Sequence, residues 1–170
     1  PYIRQRTDFD SMMNARLFAI AAYIIVIMIG GFLLAGVVLN PFMTIETRGS
    51  SLYGIFQPLM NSKAAWIYLV LMSFNLAMSI IPVCYLAAAV AILKPDEYVA
   101  VGAGFFVFYL LFYFTGSLPW IFSYSSLTSE PGRASVGEVI YHVVFFTICS
   151  LAAAKCVKAV MQKRFLNGMD

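Results

Sequence analysis

The chain contains 170 residues, of which 62% are hydrophobic and only 11% are charged, with a mean hydropathy of +0.85. A soluble domain carries about 25% charged residues, so this chain has too few charges to cover its own surface in water. The composition excludes an ordinary soluble enzyme and a disordered tail, and the net charge of +3 excludes a nucleic-acid-binding protein. It predicts a single all-α integral membrane domain over residues 1–170.

Four stretches are long and apolar enough to cross a bilayer core of about 30 Å, which takes about 20 helical residues. These stretches are residues 17–39, 64–93, 98–122 and 136–157. They predict four transmembrane helices in an antiparallel bundle. The second stretch is longer than the core requires, so we expect Pro82 to kink it.

The basic residues are unevenly distributed between the two sides of such a bundle. Eight of the eleven lie before the first span, between the second and third spans, or at and beyond the end of the fourth. The positive-inside rule therefore predicts that both termini lie on the cytoplasmic or equivalent side. Trp66 and Trp120 fall at the opposite interface, where we expect their rings to act as membrane-interface anchors.

The first outer connection, residues 40–63, is more apolar than a solvated loop. Its apolar residues over 51–61 recur at helical spacing. Two interpretations remain open. One is a short interfacial helix that Pro58 ends early, and the other is an irregular loop that rests its side chains on the bundle.

The fourth predicted helix carries the only histidine of the chain on a stripe of reactive side chains. Glu138, His142, Cys149 and Cys156 fall within about 40° of one another around the helix axis. A carboxylate one turn before an imidazole suits a proton relay or a quinone site. We favour structural roles, with Glu138 at the headgroups and His142 bonded to a neighbouring helix. No metal or other cofactor is predicted, beyond contacts with lipid.

The second predicted helix carries a polar face near its middle. Asn75, Ser79 and Pro82 lie on the same side of the helix. Pro82 has no N–H, so it leaves the carbonyl of Met78 without its usual helical donor. Such a face lines a substrate or ion site in some proteins and forms a polar contact between helices in others.

Small residues in two spans favour close packing between helices. They are Ala87, Ala88, Ala89 and Ala91 in the second span, and Ser150, Ala152, Ala153 and Ala154 in the fourth. The sequence has no phosphate-binding loop, nucleophile elbow or zinc-protease motif. We therefore predict a non-catalytic, accessory four-helix subunit of a larger membrane complex, whose partners are other membrane subunits, copies of itself and lipids.

Two alternative functions remain open from the sequence. The first is a small transporter or channel protomer with a polar site around Asn75, Ser79 and Pro82. The second is a redox or quinone-linked membrane anchor that uses His142.

Overall fold

A computed structural model describes residues 9–39, 65–117 and 136–167. These ranges form four α-helices, which confirms the all-α class. The helices are α1 (Phe9–Leu39), α2 (Ala65–Leu93), α3 (Glu97–Thr115) and α4 (Val136–Asn167). Three of them, α1, α2 and α4, are long and apolar enough to cross a membrane, whereas the apolar part of α3 is shorter. The segment 51–61 and Trp120 lie outside the described residues.

The start of α1 and the ends of α3 and α4 differ from the bounds of the predicted spans. α1 begins at Phe9 and α4 continues to Asn167, so both helices extend beyond their apolar runs into charged sequence. α2 remains one continuous helix through Pro82. α3 ends at Thr115, before the predicted end of the third span, and residues 118–122 lie outside the described part. Gly116 follows directly, and glycine disfavours helix continuation.

A short polar turn joins α2 to α3. The side chain of Asp96 accepts hydrogen bonds from the backbone N–H groups of Tyr98, at 2.9 Å, and Val99, at 3.4 Å. This is an N-cap, which satisfies two of the donors that a helix start leaves without partners. Pro95 cannot continue α2 with a helical hydrogen bond, so the chain turns at once into α3.

α2 is the central helix of the described structure. It contacts α1, α3 and α4 extensively, while α1 and α4 touch each other at few positions. Along α2, contacts with α1 occur in reverse order, because Leu17 meets Tyr85 and Gly36 faces Trp66. Contacts with α4 follow the same order on both helices.

Two clusters of buried apolar side chains hold the helices together. The first joins α1, α2 and α4 through Met13, Leu17, Ile81, Tyr85, Ala89, Ala153 and Val157. The second joins α2 and α4 through Val83 and Phe146, with Val107 and Leu111 of α3 packed against them. Ala89 and Ala153 belong to the small faces identified in the sequence, and both are buried where α2 and α4 meet α1.

Candidate polar site between α2 and α4

The buried polar residues of the described structure concentrate on α2. They are Ser73, Asn75 and Ser79 on α2 and His142 on α4. Because α2 is the central helix, its polar face packs against other helices and is not exposed on the outside of the molecule. Residues from both predicted polar sites therefore lie in the interior of one packed unit.

The two serine hydroxyls are satisfied within their own helix. Ser79 Oγ donates to the carbonyl of Leu76 at 2.7 Å. Ser73 Oγ lies 2.8 Å from the carbonyl of Leu69. Such back-bonding removes the cost of burying a hydroxyl, so neither serine needs a partner from another helix.

Asn75 and His142 are buried without that compensation. Asn75 is 7% exposed and His142 is 4% exposed. Asn75 Oδ1 and His142 Nδ1 have no hydrogen-bond partner among the described residues. A buried polar group without a partner costs about 1–3 kcal/mol, so these two atoms mark a place where a further hydrogen bond stabilises the protein.

Asn75 and His142 lie on the two helices that the second buried cluster joins, α2 and α4. Met78 of α2 packs against the cluster that contains Phe146 of α4. One turn before Met78 lies Asn75, and one turn before Phe146 lies His142. Each predicted polar site thus contributes one buried residue to the two helices that this cluster joins.

The predicted stripe on α4 divides between the interior and the surface. His142 is buried together with Phe146, and Cys149 is half-buried, whereas Cys156 is exposed. Glu138 is half-buried one turn before His142 and close enough to interact with it electrostatically. Only the Glu138 end of the stripe therefore belongs to the polar site.

Pro82 lies on the same buried face as Asn75 and Ser79. Because its ring nitrogen carries no hydrogen, the carbonyl of Met78 keeps an acceptor without a helical donor next to the polar site. Within residues 9–39, 65–117 and 136–167, no three His, Cys, Asp or Glu side chains come together in a metal-binding group.

Two polar contacts between helices were missed by the sequence analysis. The Tyr85 hydroxyl donates to the carbonyl of Leu17 at 2.6 Å, and this bond is buried between α2 and α1. The Arg164 guanidinium donates to the carbonyl of Ile92 at the end of α2. A tyrosine within an apolar run is a signal that a hydroxyl partner is nearby, but nothing in the sequence identifies Leu17 or Ile92 as the acceptor.

One face of α3 exposes tyrosines far from the helix start. Tyr109 and Tyr113 are 60% and 66% exposed, and their rings stack with centroids 5.8 Å apart. Neither hydroxyl makes a hydrogen bond to a described residue. The flanking aromatic side chains Phe105, Phe106, Phe112 and Phe114 are exposed as well.

No family model, curated protein or solved structure matches this chain.

Proposed function

We propose that this chain is a four-span integral membrane protein, with its helices antiparallel in chain order, that acts as a non-catalytic subunit of a larger membrane assembly. The observation that carries the subunit role is the exposed tyrosine pair on α3, Tyr109 and Tyr113. The membrane location rests on three helices long and apolar enough to cross a bilayer.

The contacts between helices support the proposed orientation. Leu17 meets Tyr85, and Arg164 meets Ile92, so the start of α1, the α2–α3 turn and the end of α4 lie at one end of the molecule. The basic residues of the described helices and turn collect at that end: Arg16, Lys94, Lys155, Lys158, Lys163 and Arg164. Such a positive end favours the cytoplasmic or equivalent side.

The depth of the tyrosines argues for a protein partner. α3 starts at the Asp96 cap, and at 1.5 Å per residue Tyr109 lies about 20 Å further along the axis. That distance is well inside a hydrocarbon core of about 30 Å. A phenol hydroxyl facing lipid there has nothing to bond, which costs about 1–3 kcal/mol. A neighbouring chain that offers an acceptor to Tyr109 removes this cost.

The test is purification from native membranes in a mild detergent. We expect the wild-type chain to co-purify with other chains or with further copies, and Tyr109→Phe with Tyr113→Phe to release them. Tyr98→Phe is the matched control, because Tyr98 is 89% exposed at the start of α3, where its hydroxyl reaches the headgroups. A stable, monodisperse wild-type monomer without co-purifying chains would refute the subunit role.

A second candidate function is a transporter or channel protomer. The observations that favour it are two buried atoms without a hydrogen-bond partner among the described residues, Asn75 Oδ1 and His142 Nδ1, and the Met78 carbonyl that Pro82 leaves without a donor on the same helix as Asn75. In reconstituted vesicles Asn75→Leu should abolish ion flux, while Leu71→Ile, on an exposed position of α2, should leave it unchanged. Absence of flux with the wild type, or flux unaffected by Asn75→Leu, eliminates this function.

The role of His142 in a redox or quinone-linked anchor is tested separately. A visible absorption band from the purified protein that disappears in His142→Phe supports it. A spectrum without such a band rejects a coloured redox cofactor at His142.

A further inference from the structure

We propose that the basic end of α2 binds one anionic phospholipid, with an acyl chain in a groove between α2 and α3 and the phosphate between Lys94 and Arg164. This inference rests on the proposed membrane insertion, but it is independent of any partner subunit. It assigns a ligand to residues outside the Asn75–His142 site.

The groove is an open apolar depression of about 380 Å³. Its lining comes from the end of α2 and the first half of α3, through Val90, Val99, Gly102, Ala103, Phe106 and Val107. Gly102 borders open space in the groove, because a Cβ at that position would have no atom within 4 Å. With an entirely apolar lining, the groove suits a hydrocarbon chain and offers nothing to a soluble anion.

Lys94 lies at the end of the groove nearest the α2–α3 turn. It follows Val90 by four residues, and its backbone N–H donates to the Val90 carbonyl at 3.1 Å. The two side chains therefore lie on the same face, one turn apart. The Lys94 side chain is exposed, so its ammonium group is available to a headgroup whose chain occupies the groove.

Arg164 brings a second cation to the same helix end. Its guanidinium donates through Nη1 to the carbonyl of Ile92, two residues before Lys94. A guanidinium has five N–H donors, so donors remain for a phosphate oxygen. Arginine and lysine are the usual phosphate-binding side chains. Arg164 of α4 and Lys94 of the α2–α3 turn thus both lie near the end of α2.

The carboxylate of the nearby Asp96 does not form an ion pair with Lys94 or Arg164. Its carboxylate accepts hydrogen bonds from the N–H groups of Tyr98 and Val99, so it is held at the positive end of the α3 helix dipole. An anionic headgroup is therefore the complementary partner for Lys94 and Arg164, and the adjacent groove distinguishes a lipid from a free phosphate.

The experiment measures lipid binding to the full chain purified in a zwitterionic detergent, by native mass spectrometry. Phosphatidylglycerol and phosphatidylcholine with identical acyl chains are compared, and inorganic phosphate is the soluble competitor. We expect tighter binding of phosphatidylglycerol to the wild type. Lys94→Gln should weaken that binding about fivefold, as for the loss of one cation near an anionic headgroup, whereas Lys94→Arg should retain it.

Matched variants separate the headgroup from the acyl chain. Lys163→Gln removes an exposed cation at the same end and should change nothing. Gly102→Leu fills the groove and should weaken binding of both lipids, while Val101→Leu, at an exposed position beside it, should not.

Equal affinity of the wild type for the two lipids would overturn the proposal. So would equal losses from Lys94→Gln and Lys163→Gln, which would indicate a diffuse charge effect. Displacement of the lipid by inorganic phosphate would identify a soluble anion as the ligand. Because Lys94 is exposed, its variants test the site even if Gly102→Leu fails to fold.

Discussion

Replacing Tyr85 with phenylalanine removes a single oxygen from the contact between α1 and α2. The Tyr85 hydroxyl donates to the Leu17 carbonyl at 2.6 Å in a buried position. The ring itself packs in the cluster that contains Met13 and Ala153, and phenylalanine keeps this packing. The Leu17 carbonyl lies within α1 and also accepts the helical bond from the N–H of Ala21, so the substitution leaves no orphaned acceptor. The expected loss is the net value of one hydrogen bond between helices.

That value is about 1 kcal/mol, because hydrogen bonds between membrane helices contribute roughly 0.6 on average and at most about 1.7 kcal/mol. The unfolding equilibrium constant should rise about fivefold, since 1.4 kcal/mol corresponds to a factor of ten. The measurement is unfolding of the purified chain by sodium dodecyl sulfate in mixed micelles, followed by tryptophan fluorescence and circular dichroism.

Tyr98→Phe is the control for Tyr85→Phe. Tyr98 loses the same oxygen from a side chain that is 89% exposed, so its free energy of unfolding should not change measurably. A loss for Tyr85→Phe equal to that of the control would show that the bond to Leu17 contributes nothing. A loss above about 3 kcal/mol would exceed any single bond of this kind and would refute the assumption that phenylalanine preserves the packing.

Two further substitutions test the packing of α2. Compared with Gly30→Ala, Gly36→Ala should destabilise the protein by about 1 kcal/mol or more, because the new Cβ would lie 2.9 Å from Cζ3 of Trp66, whose ring must shift. The change should also shift Trp66 fluorescence. Gly30→Ala, with no atom within 4 Å, is the control on the same helix, and equal effects of the two would contradict the proposed clash. Phe146→Ala should cost about 3–5 kcal/mol, since Phe146 is 1% exposed. A loss below about 1 kcal/mol in the same detergent titration would show that the second cluster is not a core.

Local patterns determined the helices. An apolar run of sufficient length forms a helix in lipid because only internal hydrogen bonds satisfy its backbone, and for this reason the second span, predicted at 64–93, agrees closely with Ala65–Leu93. The helix ends were less predictable. Charged residues after Lys155 continue α4, since lysine and arginine are good helix formers.

The sequence could not predict what surrounds the polar residues of α2. Helical spacing placed Asn75, Ser79 and Pro82 on one face, but it could not say whether that face meets lipid, a pore or another helix. In the structure Ser79 bonds within its own helix, and Asn75 is buried with an amide oxygen that has no hydrogen-bond partner among the described residues. The surroundings of this face depend on how α2 packs against the other helices.

The sequence by itself determined that this protein is helical, that its charges avoid the apolar runs, and where most of those runs end. These properties follow from hydropathy and backbone hydrogen bonding, which act within one helix. Only the tertiary structure decided that α2 is the central helix, that Tyr85 bonds Leu17, and that Arg164 reaches the end of α2 beside Lys94. Each of these contacts joins residues far apart in the chain. They depend on the packing of large and small side chains between helices, and no local pattern specifies that packing.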